Sequence, residues 1–328
     1  MEYRIKLPKS AQKLICCPIC RSKLTWLDSQ LQCTSNVCGA IFPIVDGIPI
    51  LLNEHSSVFS IDDFVNQRCT TFDLSRFETS QSRSIWRVIR EYTPNISKNL
   101  KAERNYAYFA RLLKESSGMP RVLVVGGGIE GEGLSELLSD LAIEMVETDV
   151  SFGPRTMLVC DAYDIPFDDG SFDGVIAQAV LEHVVDPWRC VEEIHRVTKR
   201  NGLIYAETPF MQQVHMGRYD FTRFTHLGHR HLFRRFEEID SGPVCGPGMA
   251  LAWSSCYFLL SFCHTRFSRA LVRRFARFTS FWLKYMDYYL IDKPGAYDAA
   301  AGFFFLGRKK DGYELGDREL LKLYRGMQ

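Results

Sequence analysis

No stretch of this sequence reaches the roughly 18 consecutive apolar residues that a membrane-spanning helix needs. Residues Met1–Ser10 alternate charged and apolar side chains and lack the apolar core, about 7 to 15 residues long, of a secretory leader. Both absences predict a cytoplasmic protein. Charge of one sign is missing too: 40 Lys and Arg face 39 Asp and Glu, a formal net charge of +1, which excludes a whole-molecule field that gathers nucleic acid. No internal repeat or low-complexity tract is present, which excludes a repeat array. Cysteine, by contrast, is plentiful, with eleven residues. Four have metal-site spacing and the others are scattered among apolar neighbours, so zinc and reduced core thiols fit better than disulfides.

The 328 residues suffice for a full α/β core and one small extra domain. From Leu14 to Leu52 short β-segments are interrupted by cysteine knuckles; Glu54 to Ser80 is polar and without steady period; Ile85, Val88, Ile89 and Tyr92, then Tyr106, Phe109, Leu112 and Leu113, recur at helical spacing. From Arg121 strand-like segments (122–125, 144–149, 157–160, 174–177, 203–207, 236–244 and 302–308) alternate with helical ones, the clearest at 130–141 and 187–197. The expected fold is α/β and doubly wound, a mostly parallel, seven-stranded Rossmann-like sheet with a small N-terminal β zinc ribbon and a helical insert near the C-terminus. The expected domains are a ribbon over 1–56, linker and helices over 57–118, and the main domain over 119–328, with its insert at 247–298.

Cys17-Pro18-Ile19-Cys20, followed after twelve residues by Cys33 and then by Cys38, is a C-x2-C-x12-C-x4-C pattern that can close a tetrahedral thiolate site. Four thiolates leave no open coordination position, so the ion expected is structural Zn2+. Four unliganded thiols are disfavoured, because so short a domain needs a staple; Cys16 is an alternative to Cys17 as the first ligand. With Phe42-Pro43-Ile44-Val45-Asp46-Gly47-Ile48-Pro49, these cysteines resemble the zinc-ribbon family that includes small activator subunits of methyltransferases. The sequence departs from it by placing four residues, where two are usual, between the last two cysteines.

Val122-Leu123-Val124-Val125 runs into Gly126-Gly127-Gly128-Ile129-Glu130-Gly131, a strand feeding a glycine turn where a ligand can approach backbone. About twenty residues on, Asp149 ends the next strand, where a carboxylate can accept two ribose hydroxyls. Nicotinamide enzymes share both features. Cys160-Asp161-Ala162-Tyr163-Asp164-Ile165-Pro166-Phe167, Gly170-Ser171-Phe172-Asp173-Gly174-Val175 and Val180-Leu181-Glu182-His183-Val184 separate them, for these segments resemble the class I S-adenosylmethionine-dependent methyltransferases of the small-molecule branch. The resemblance spans about residues 122–209. It implies that Gly126 and Gly128 line the methionine, Asp149 holds the ribose, Asp161 with Ala162 meets the adenine, and Gln178 with Ala179 borders the sulfonium. Val124 stands where the family often has an acidic residue, and the third glycine is displaced to Gly131, so the methionine ammonium needs another partner.

Methyl transfer from a sulfonium is an in-line displacement, and only a protonated acceptor needs a base. His215, Asp220, Arg223 and His226 follow the fifth strand, at the sheet edge where an acceptor must bind, and His183 ends the fourth; these are the candidates for base and substrate contacts, each alone having a structural alternative. This segment resembles methyltransferases of bacterial cell-surface polysaccharide and natural-product pathways. In the insert, Arg266, Arg269, Arg273, Arg274 and Arg277 alternate with Phe267, Leu271, Phe275 and Phe278, either a lid packed over the site or, through 266–278, a peripheral contact with anionic lipid. The expected activity is methylation of an O or N atom of a small molecule or a glycan or lipid-linked precursor, with the ribbon as structural element or docking site for a protein partner. The alternatives are an rRNA or tRNA methyltransferase, against which the near-neutral charge argues, and a non-catalytic ribbon protein with a degenerate methyltransferase domain.

Overall fold

In the computed structural model, residues 5–66, 70–71 and 94–328 are described; the helical spacing at Ile85, Val88, Ile89 and Tyr92 lies outside them. The ribbon is a four-stranded antiparallel sheet, β1 (Leu24–Trp26), β2 (Gln30–Cys33), β3 (Ile41–Val45) and β4 (Ile48–Pro49), in that spatial order. Asp46 and Gly47 both take positive φ, 50° and 76°, the left-handed pair that a two-residue hairpin turn demands and that Asp-Gly supplies.

The main sheet comprises β5 (Arg121–Val125), β6 (Glu144–Asp149), β7 (Leu158–Val159), β8 (Phe172–Gln178), β9 (Thr198–Pro209), β10 (Phe236–Cys245) and β11 (Gly302–Lys309), in the spatial order β10-β11-β9-β8-β5-β6-β7. Only β11 runs against its neighbours; the other pairings are parallel. The strand order turns between β5 and β8, so the glycine loop after β5 opens at the switch point. Central strands are apolar almost without interruption because both faces are covered. Tyr106, Phe109 and Leu113 of the helix Ala102–Ser116 meet Val122, Val124 and Ile176 on one face. Cys190, Ile194 and Val197 of the helix Pro187–Val197 meet Leu123, Val175 and Ile204 on the other. That second helix begins where the sequence says it should: the Asp186 carboxylate accepts from Arg189 N at 3.2 Å and Pro187 takes the first turn.

The ribbon and the main sheet share one core, in which Leu7, Ile15, Leu31, Phe42 and Leu51 pack with Leu158, Phe167 and Phe172. Backbone pairing joins them as well, Leu51 N to Val159 O at 2.8 Å and Cys16 N to Pro166 O at 3.0 Å. The ribbon thereby covers the β7 edge, which would otherwise expose unpaired amides.

Two local expectations change. The helix expected over 130–141 shrinks to Ser135–Ser139, because Gly133 sits at φ 85° with its α-carbon against Ala102, and no helix passes through that conformation. The polar segment after the ribbon holds the short helix Ile61–Val65, closed by a reciprocal Ser60/Asp63 cap, with Phe64 buried. The insert forms helices Pro247–Leu260, Arg266–Ser280, Leu283–Leu290 and Pro294–Ala299. No described helix is long and apolar enough to cross a membrane.

Candidate active site

The glycine loop leaves β5 at Gly126, whose φ is 71° and where a Cβ would collide with the Val180 side chain. Two residues on, Gly128 N donates to Asp149 Oδ2 at 2.9 Å, and a Cβ on Gly128 would lie 2.8 Å from that same oxygen. Glycine is thus required by both turn and approach. Asp149 ends β6 at 5% exposure, and burial pushes its carboxyl up to about 6 against the backbone amides that favour its charge. Asp161, just past β7, is also raised by burial; its Oδ1 accepts from Tyr163 N at 3.1 Å and its Oδ2 from Ser57 Oγ at 2.7 Å. Ala162 beside it is buried.

Gln178 ends β8. Its Nε2 donates to Glu132 O at 3.0 Å and to Glu207 Oε2 at 2.9 Å, whereas its Oε1 is buried without a partner. Ala179 follows at φ 53°, a strained position for a residue with a Cβ and one typical of functional turns. Glu207, on the adjoining end of β9, also accepts from Asn99 Nδ2 at 2.8 Å and the Tyr205 hydroxyl at 2.5 Å, and burial pushes it up to about 7 despite these donors. Glycine cradle, two in-register aspartates and an orphaned Gln178 oxygen fit a bound S-adenosylmethionine.

Of the residues expected on the acceptor side, the structure brings four together. His183 closes a 3-10 turn after β8, and its ring lies 4.9 Å from that of His215. Asp220 accepts from His215 N at 2.8 Å and from Arg223 through both oxygens, at 2.5 and 2.9 Å. Burial raises Asp220, but the Arg223 fork and the His215 amide outweigh it and hold the carboxyl near about 2. Burial lowers His183 to about 4, helped by the charge of His215, and lowers His215 as well, so both imidazoles are neutral at pH 7. Trp253 and Tyr257 of the insert cover this cluster, with the Tyr257 hydroxyl donating to Val214 O at 2.6 Å.

His226 stands apart. It opens the helix His226–Leu232, buried against Tyr297 and Phe303 with Nε2 3.2 Å from Ser241 Oγ and with Nδ1 buried and unpartnered. Two carboxylates absent from the sequence-derived candidates lie at the site, Glu207 and Glu182. Glu182 is 1% exposed and pushed up to about 8 by burial. Their only sequence signal is a charged residue at the carboxyl end of an otherwise apolar strand or turn.

In the ribbon, the sulfurs of Cys17, Cys20, Cys33 and Cys38 lie within 4.8 Å of one another, with Cys17–Cys38 at 3.7 Å and Cys20–Cys33 at 3.4 Å. Tetrahedral bonds of about 2.3 Å to zinc separate sulfurs by about 3.8 Å, so the donor set fits. Cys16 is outside this group, paired through its backbone to Lys23.

A methyltransferase domain of the Methyltransf_11 family matches residues 125–206. The ubiquinone/menaquinone biosynthesis C-methyltransferase UbiE of Citrifermentans bemidjiense is 42% identical over 52 residues, 16% of this chain and 22% of that protein; the chain thus spans about a fifth of that relative's length. The UPF0434 protein of Yersinia pestis is 33% identical over 51 residues, 16% of this chain but 85% of that protein. Among solved structures, the 1,6-didemethyltoxoflavin-N1-methyltransferase of Burkholderia thailandensis covers 88% of this chain and 100% of its own at 12% identity and a TM-score of 0.39. Residues 125–206 are thus a methyltransferase domain, and over the short segment that matches, the chain belongs to the UPF0434 family.

Proposed function

We propose that the protein moves a methyl group from S-adenosylmethionine to an oxygen or nitrogen of a small molecule or of a glycan or lipid-linked precursor. The observation that carries this reading is the placement of Gln178, Asp149 and Asp161 at the carboxyl ends of β8, β6 and β7, which flank β5 and its Gly126–Gly128 turn. In it, Asp149 accepts the ribose hydroxyls, Asp161 with Ala162 meets the adenine, and Gly126 and Gly128 line the methionine. The buried Glu207 carboxylate, beside Gln178, supplies the anionic partner for the ammonium that Val124 does not. The acceptor's lone pair attacks the methyl carbon as the carbon–sulfur bond breaks toward sulfur, leaving S-adenosylhomocysteine, and a protonated acceptor gives up its proton at the His183, His215, Asp220 and Arg223 cluster. Calorimetric titration with S-adenosylmethionine and S-adenosylhomocysteine tests this; no binding by the zinc-loaded protein refutes it.

Cys17, Cys20, Cys33 and Cys38 hold a structural Zn2+ in this proposal. Because the ribbon sets its apolar face against this chain's own sheet, it acts as an internal support for β7 and the Asp161 loop rather than as a docking module.

The helix Arg266–Ser280 supports a peripheral role. It packs inward through small residues, with only Ala276 and Ser280 buried, whereas Phe267, Leu271, Phe275 and Phe278 are 54–78% exposed and recur every three or four residues on the opposite face. A lid would bury that stripe. Flanked by five arginines and no acidic residue, it suits an anionic lipid surface, close to a lipid-linked acceptor.

A further inference from the structure

Glu182, His183 and His215 are arranged in a way that proton bookkeeping leaves unexplained. His183 Nδ1 lies 2.7 Å from Tyr219 O, and His215 Nδ1 lies 3.2 Å from Gln213 O. A carbonyl only accepts, so each Nδ1 carries the hydrogen and each Nε2 presents a bare lone pair. Both Nε2 atoms face one oxygen, Glu182 Oε1, at 3.7 Å and 3.8 Å. That is too far for a hydrogen bond and leaves three electron-rich atoms converging on an empty point. The second carboxylate oxygen, Glu182 Oε2, is buried without any partner.

We infer that Glu182 Oε1, His183 Nε2 and His215 Nε2 form a binding site for a divalent transition-metal ion at the acceptor end of the fold. The separations suit it: bonds of about 2.1 Å at tetrahedral to trigonal angles place ligand atoms about 3.4 to 3.6 Å apart, so the two contacts to Glu182 Oε1, at 3.7 and 3.8 Å, need to close by only a few tenths of an ångström. The group's ligand atoms, within 4.8 Å of one another, need to close by about 1 Å at most through side-chain rotation. The surrounding contacts are those that orient metal ligands. Each imidazole is fixed by a carbonyl on its far nitrogen, and Asp220, clamped by Arg223, holds the His215 backbone. Glu182 is tied to the same loop, its carbonyl accepting from Phe221 N at 2.8 Å. Two imidazoles and a single carboxylate favour manganese, iron, cobalt or zinc over magnesium or calcium, and three protein ligands leave positions open. An acceptor hydroxyl or carbonyl bound there would be polarised next to the methyl donor. That role rests on the acceptor site proposed above; the binding of the ion does not.

The test is titration of the full chain, its ribbon already loaded with zinc, with Mn2+, following loss of the free-ion electron paramagnetic resonance signal. The thiolate ribbon does not compete well for so hard an ion. One Mn2+ per chain is expected, with affinity reduced about 100-fold or more in Glu182→Gln and His215→Ala. Asp149→Asn is expected to bind Mn2+ like wild type while losing S-adenosylmethionine, which separates failure of this site from failure of the methyltransferase reading. In wild-type protein, pulsed resonance of bound Mn2+ should show nitrogen hyperfine coupling from coordinated imidazole, a readout independent of whether the variants fold. No stoichiometric Mn2+, or bound Mn2+ without nitrogen coupling, overturns the inference.

Discussion

Replacing Asp149 with asparagine should separate cofactor affinity from stability. The carboxylate accepts from Gly128 N at 2.9 Å and, on the proposed reading, from two ribose hydroxyls; hydrogen bonds to a charged group contribute about 1.5–3 kcal/mol each. An amide keeps one acceptor at most, and turning its NH2 toward Gly128 or toward the ribose sets donor against donor. Loss of about 3–4 kcal/mol follows, a rise in Kd of about 100- to 1,000-fold by calorimetry. Stability moves the other way. Burial raises this carboxyl from 3.8 to about 6 in the folded chain, above its unfolded value, so folding is favoured below the unfolded pKa and that advantage is lost as pH rises through about 6. At pH 7.5 the ionised buried group therefore costs up to about 3 kcal/mol, and the asparagine variant should melt no lower than wild type there. Wild-type affinity should also fall about tenfold per pH unit below about 6, as protonation removes the acceptor, while the variant's affinity stays flat over that range. Binding by Asp149→Asn within about threefold of wild type, or wild-type affinity unchanged from pH 8 to 5, would refute the assignment.

Gly126→Ala should cost affinity and stability together, since φ 71° and the Val180 side chain both oppose a Cβ; about 1–3 kcal/mol in chemical denaturation is expected. Removal of zinc by a chelator, or Cys20→Ser, should lower the melting temperature by several degrees before it alters cofactor affinity, and metal analysis should give one zinc per chain before treatment; an unchanged melting curve would sink the structural role. Phe267→Ser with Phe275→Ser should leave melting unchanged, because both rings are exposed, yet abolish co-sedimentation with phosphatidylglycerol vesicles. Wild-type binding to phosphatidylcholine vesicles of equal strength would contradict the arginine contribution.

Strand positions were legible because parallel strands covered on both faces must be apolar almost throughout, as Val122–Val125 and Leu203–Ala206 are; all seven lie where the sequence places them. The helix 187–197 was legible through the helical spacing of its apolar residues. The 130–141 helix was misread since apolar period outvoted Gly131 and Gly133, whereas in the fold Gly133 is pressed against Ala102, a tertiary contact no window of sequence contains. The short helix Ile61–Val65 was hidden for the opposite reason: its stability comes from one buried ring, Phe64 against Phe152, not from a repeated pattern.

The same distinction governs the site. Asp149 and Asp161 are legible since each follows from chain order alone, a carboxylate at the end of a strand after a glycine turn. Glu182 and Glu207 are not, because what makes them unusual is what neighbouring segments deny them. Glu207 is buried between Asn99, Gln178 and Tyr205, which come from three separate stretches of chain, and Glu182 faces two imidazoles 1 and 33 positions away. Each carboxylate is raised by burial, to about 7 and about 8, and shifts of this kind gather at functional sites. His226, equally prominent in sequence, lies apart from both carboxylates among aromatic rings and a serine hydroxyl, and its Nδ1 is likewise buried without a hydrogen-bond partner, a vacancy that chain order alone does not disclose.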